Sequence, residues 1–453
     1  MQYAEVMTYD SLAIIVALSL CTACGDDSAP TDASVADTGV DSATDSATDS
    51  ASDAMGTDSA TDAMRSDSGF PCRDCGDDVR AASCSRDDVA AAIDMATAGE
   101  RVLVPEGRCN WTSGLDLDVG IVVEGEGTVE LVHDAGTDTL FRVTESATHL
   151  IEIANLSFEE GSGGAEAWDG MFINVGGDGL PVLVRGNTFT VTNGQRRAIR
   201  WNATGGVIFD NTFAAGGADA NAIAILGPDS SWSTPHTMGT ADTTGEANLY
   251  IEDNLFERFA AQALDPDSNS RVVIRHNTFD HTAMASHGAD TSEDGTRHWE
   301  LYDNTFLFVD HGDCDGSMTA NLPYLFYIRG GTGVIADNVI PDVASCAWSD
   351  KAEIFMTVQN IRRNAGPYPC WDTYPAPRQV GQGHDGSDFI TDPVYLWGNS
   401  GGGNYDDPAV ADYDPDECGS DLSTSDFIQA GRDFIAGTPR PGYTKYPYPH
   451  PAR

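Results

Sequence analysis

Six times the chain runs a short alternating apolar stretch into an asparagine, with a large apolar residue two positions later. The copies are VLVRGNTF ending at Phe189, GVIFDNTF at Phe213, NLYIEDNLF at Phe256, RVVIRHNTF at Phe279, HWELYDNTF at Phe306 and GVIADNVI at Ile340. A kept strand with loops of variable length between copies is the pattern of a stacked solenoid, in which each coil contacts only its neighbours.

Aligned on the asparagine, the copies form columns. Val184, Ile208, Ile251, Ile274, Leu301 and Ile335 stand three positions before it and are uniformly apolar, which places them inside. Arg185, Phe209, Glu252, Arg275, Tyr302 and Ala336 stand two before it; their mixed chemistry reads as an outward row. The asparagines (Asn187, Asn211, Asn254, Asn277, Asn304 and Asn338) are expected at a tight corner, where stacked amides hydrogen-bond along the axis. Arg275 and Glu300, with Tyr250 and Tyr302, would form either an exposed ion pair or a polar, aromatic wall suited to sugar rings.

A second strand precedes each copy: MFINV, AIRWN, AIAIL, ALDPD, ASHGA and FYIRG. Its outward row reads Asn174, Arg200, Ala224, Asp265, His287 and Arg329. Coils stacked about 4.8 Å apart let neighbours in a row touch. Asp265, His287 and Arg329 are therefore expected on consecutive rungs, with Arg200 two rungs from Asp265. Such a ladder of opposite charges stabilises a face without any ligand, or binds one, or does chemistry.

Asp87 and Asp88 followed by VAAAIDMATAGE read as a capped amphipathic helix, and RVLVPEG as the strand after it. A capping helix, a first strand and then the repeats, over Cys84–Ile340, resemble the right-handed parallel β-helix proteins of the pectate lyase-like superfamily. The resemblance implies an all-β, single-stranded right-handed parallel β-helix with an N-terminal capping helix and an irregular C-terminal cap. It implies little about activity, because that fold hosts lyases, hydrolases, epimerases and non-catalytic surface proteins.

If the likeness extends to chemistry, it implies a polysaccharide lyase or glycoside hydrolase acting on an extracellular polysaccharide. Arg200 and Arg329 would then recognise carboxylates, His287 would serve as acid or base, and Asp265 would orient it. Calcium is the cofactor implied, with Asp265 and Asp267 as ligands and Asp290 and Glu300 nearby in sequence. Neither the calcium-ligand motif of the pectate lyases proper nor the paired aspartates of polygalacturonases is present. A non-catalytic glycan-binding, adhesive or structural surface lipoprotein is the alternative.

The net charge of -47, with Lys351 and Lys445 the only lysines, argues against nucleic acid or an anionic membrane as partner. The apolar run from Leu12 to Leu20 is too short to stay in a bilayer as a spanning helix. With Ala23 before Cys24 and Gly25-Asp26-Asp27 after it, residues 1–24 resemble a bacterial lipoprotein signal, implying lipidation at Cys24 and an outer-membrane or cell-surface location; simple secretion is the alternative. Residues 25–68, rich in Asp, Ser, Ala and Thr, read as a disordered tether. The β-helix is expected over 69–363 and a cap over 364–453, whose prolines and tyrosines (Tyr443, Tyr446, Tyr448) suit a strap over an open end. Cys84 and Cys109, flanking one helix–strand unit, are the disulfide most clearly expected in an oxidising compartment.

Overall fold

The computed structural model describes residues 78–144, 149–161, 171–177, 182–192, 196–216, 220–227, 245–259, 262–286, 295–307, 324–340, 353–356, 373–376, 378–385, 387–401, 405–410 and 423–453. The expected signal, Cys24 and the tether lie outside these residues. No helix among the described residues is long and apolar enough to cross a membrane.

Strands pair parallel into a 20-stranded sheet and a 10-stranded sheet, a right-handed parallel β-helix as expected. A typical coil enters the second, smaller sheet at Arg197–Ala203 and passes through Val207–Phe209 and Thr212–Ala214 of the first. The next coil repeats this with Asn221–Leu226, Leu249–Glu252 and Leu255–Glu257. The apolar column is interior throughout: Val184, Ile208, Ile251, Ile274, Leu301 and Ile335 have no exposed surface. Behind it Phe158, Phe189, Phe213, Phe256, Phe279 and Phe306 stack with ring centroids 4.6–5.0 Å apart, the coil spacing itself.

The asparagine corner works as the repeat implies. Asn211 Nδ2 donates to Asn254 Oδ1 (3.0 Å), Asn254 to Asn277 (3.0 Å) and Asn277 to Asn304 (3.1 Å). Each Oδ1 also accepts the backbone amide of the asparagine one coil back, as Asn277 Oδ1 does from Asn254 N (3.0 Å). The ladder runs one rung beyond the six copies, to Asn399, because Asn338 donates to its side chain (2.8 Å). The residue before each asparagine takes a left-handed backbone: Asp210, Asp253, His276, Asp303 and Asp337 have φ of 54–57°. Aspartate and histidine tolerate this conformation better than branched residues do, so the corner selects them.

The N-terminal end is closed by a helix over Arg86–Met95, which buries Val89, Ala92 and Ile93. Its cap is Ser85, whose side chain accepts from Asp88 N; Asp87 and Asp88 sit inside the first turn, where carboxylates suit the helix dipole. Cys84 and Cys109 are joined by a disulfide with Cα atoms 5.8 Å apart, tying this helix to the first long strand. At the other end parallel pairing continues past residue 363. Val394–Trp397 pairs with Thr332–Ala336, and Phe434–Ala436 pairs with Val394–Trp397. Part of the expected cap is therefore solenoid.

Candidate functional site

The outward row of the second sheet is set by its pairing. Asp116 pairs with Arg142, Arg142 with Asn174, Asn174 with Arg200, Arg200 with Ala224 and Ala224 with Asp265. Arg200 is thus two coils from Asp265, as read from the sequence. Beyond Asp265 the expected register slips by two residues. Leu264 pairs with Met284 and Met284 with Phe326, so Asp265 is level with Ala285 and Tyr327 rather than with Arg329. A two-residue slip keeps every side chain on its own face, so the apolar alternation cannot detect it. His287 and Asp290 lie outside the described residues.

Each residue of the expected constellation has its own surroundings. Asp265 is buried (4% exposed) and faces Arg197 at 3.5 Å. Arg329, also buried, donates from Nε to Ser286 O (2.8 Å) and holds its guanidinium 5.2 Å from the ring of Tyr327. Asp267 closes a turn by accepting from Ser268 N (2.8 Å). Among the described residues no three His, Cys, Asp or Glu side chains gather as metal ligands.

The open part of this row lies toward the N-terminal end. Asp116 is exposed, and Arg142, Asn174 and Arg200 are half-exposed. Arg142 donates to Asp116 (2.6 Å) and Asp138 (2.5 Å), and these bonds, the one to Asp116 foremost, raise its pKa against burial. Burial opposes the charge on Asp138, yet the amide of Gly114 and Arg142 outweigh it and hold the carboxyl below its usual range. Arg142 was missed in the sequence because its strand, Phe141–Val143, precedes the asparagine repeats; FRV nonetheless repeats the apolar–polar–apolar pattern of the later copies.

The four residues expected as a sugar-binding wall on the first sheet are not open. Arg275, Glu300, Tyr250 and Tyr302 are at most 2% exposed. They point away from the coil interior, but residues 443–453 lie across them: Arg275 donates to the carbonyls of Tyr446 (2.8 Å) and Pro447 (2.7 Å), and Tyr443 donates to Glu300 (2.7 Å). Between tail and sheet a second apolar core forms from Leu183, Val207, Phe209, Val273 and Val334, with Ala452 against it. Burial pushes the phenols of Tyr250 and Tyr302 well above their usual range. The expected strap exists, but it covers a flank rather than the open end.

No known protein-family pattern matches the chain. No curated protein matches it either. Among solved structures it is similar to a mutant of the PL6 family alginate lyase AlyGC, with 12% identity and a TM-score of 0.35 over 63% of this chain and 40% of that one. It is also similar to an alginate lyase from Paenibacillus sp. str. FPU-7, with 12% identity and a TM-score of 0.32 over 58% of this chain and 95% of that one. The chain therefore spans less than half the length of the first of these.

Proposed function

We propose that this protein is a surface-anchored β-helix that binds an acidic extracellular polysaccharide along the outer face of its second sheet. The observation that carries this reading is the pair Arg142 and Arg200, two coils apart on one accessible row of a chain with net charge -47. Stacked coils put their backbones about 10 Å apart, with the amide of Asn174 between them. Two guanidiniums at that interval suit successive carboxylates of an extended polyuronate, since arginine pairs with carboxylates by charge-assisted hydrogen bonds.

Lipidation at Cys24 would hold this face outside the cell. Binding without turnover is favoured over cleavage, because the slipped register separates Asp265 from Arg329, two of the four residues expected to do chemistry. A glycan array with and without calcium tests this. The wild type retains acidic glycans, and Arg200→Ala loses them by about tenfold or more, a charge-assisted hydrogen bond or two. An array empty of acidic glycans would end the proposal. Unsaturated-uronate absorbance that His287→Ala abolishes, with the far-UV spectrum unchanged, would replace it with a lyase.

A further inference from the structure

The strap binds through charges placed by the corner geometry. Asp210, Asp253, Asp303 and Asp337 take the left-handed corner position in their coils, so their carboxylates recur along one edge of the first sheet. Residues of that edge would repel one another and any polyuronate. Two cations of the strap bridge them in pairs. Lys445 reaches Asp303 and Asp337, each at 2.8 Å. Arg453 reaches Asp210 at 3.1 Å, pairs closely with Asp253 and also meets the buried Glu252 at 3.0 Å.

Between these two clamps the strap presents aromatic rings. Tyr448 stacks on His276 with centroids 3.6 Å apart and donates to Asp253 (2.7 Å). His450 lies 4.4 Å from the ring of Tyr250. Side chains carry the bonds from Arg275 to the carbonyls of Tyr446 and Pro447, from His450 N to Glu252 and from Tyr443 to Glu300, so these contacts hold the strap as a ligand is held. The segment joining it to the last coil is exposed from Ala436 to Pro439 and again at Pro441 and Gly442, and Gly437 (φ 65°) and Gly442 (φ 73°) give it its turns.

We infer that the outer face of the first sheet is a groove for an extended, cationic, tyrosine-bearing peptide, and that strap segments 443–453 of two copies of this chain exchange between their grooves. The segment's charge and ring spacing already match this groove, and the same contacts form in cis or in trans. The linker over residues 436–442 favours cis by supplying an effective concentration on the order of millimolar. Exchange of an identical element through a linker is the ordinary low-cost route to a two-fold pair.

Two experiments on the full chain test this. The first uses a fluorescent 11-residue peptide copying Tyr443–Arg453, titrated against wild type and against Lys445→Glu/Arg453→Glu. The variant, its own strap loosened, is expected to bind the peptide at least tenfold more tightly than wild type, and a peptide carrying the same two glutamates is expected not to bind. Equal binding by wild type and folded variant, or none by the folded variant, overturns the inference. The second experiment deletes Thr438–Pro441, so that the strap cannot reach its own groove. Light scattering is then expected to show a dimer, and a folded monomer overturns the exchange. Neither readout involves Arg142 or Arg200, so these results stand apart from those of the glycan array.

Discussion

Arg275 Nη2 lies 2.5 Å from Glu252 Oε1 with neither side chain exposed, and the same guanidinium holds two carbonyls of the C-terminal strap. An ion pair in this position is made tolerable by complete hydrogen bonding. It joins neighbouring coils (Glu252 pairs with Arg275 in register) and fastens the tail to both.

Removing one partner of this pair is expected to cost far more than removing both. Arg275→Met leaves the Glu252 carboxylate buried with Arg453 and the His450 amide to meet it and should lose about 3–5 kcal/mol in urea unfolding. Adding Glu252→Gln to that variant should recover a large part of the loss. Additive losses in the double variant would show that the pair is not coupled.

Acid should loosen the strap before it unfolds the coil. Burial holds the His450 imidazole down at about 4, with Arg275 and Arg453 assisting and Glu252 opposing. The His276 imidazole is lowered too, again chiefly by burial, against the pull of Asp303 and Asp253. Both groups are neutral in the folded chain and titrate near 6.5 when unfolded. Their contribution is therefore fully present above pH 6.5 and is lost as pH falls below it, for His450 through about 4. For His450 the loss should be on the order of 1–2 kcal/mol after allowance for solvent screening. Melting temperatures across this window should fall in the wild type and flatten in His450→Gln; an unchanged slope would count against it.

The amide ladder predicts a gradient along the solenoid. Asn254→Ala removes the acceptor of Asn211 N and the donor to Ile208 O, both buried. Each group left unpaired should cost about 1–3 kcal/mol. Asn399→Ala, at the half-exposed last rung, should cost distinctly less, because water replaces the lost partner. Equal shifts in the denaturation midpoint would contradict the ladder's role.

Opening the single disulfide among the described residues should act at the N-terminal end. Cys84 and Cys109 lie 25 residues apart, and a bridge over such a loop contributes about 3 kcal/mol. Cys84→Ser with Cys109→Ser should lower the melting temperature and speed proteolysis near the capping helix. A melting temperature within a degree of wild type would show that helix packing alone secures that end.

The repeats alone were enough to give the interior columns, the asparagine corner and the class of fold, because these depend on contacts between equivalent positions of adjacent coils. That same logic predicts Asn399 from VYLWGN, although its copy carries Gly401 where a large apolar residue stands in the others. Helix capping by Ser85 rather than by the aspartates was a matter of one local hydrogen bond, within reach of sequence but ambiguous among three neighbouring cap-forming residues.

What the chain determined by itself, then, is the stacking: side chains of period two repeated in each coil can bury only one face, and the buried face is the apolar one. Tertiary structure alone decided which outward rows meet solvent and which residues stand level. A slip of two at Met284 leaves the alternation untouched while parting Asp265 from Arg329. A tail 143 or more residues distant in sequence turned Arg275, Glu300, Tyr250 and Tyr302 from an open wall into the lining of a covered groove, and contacts at that separation leave no periodic trace to read.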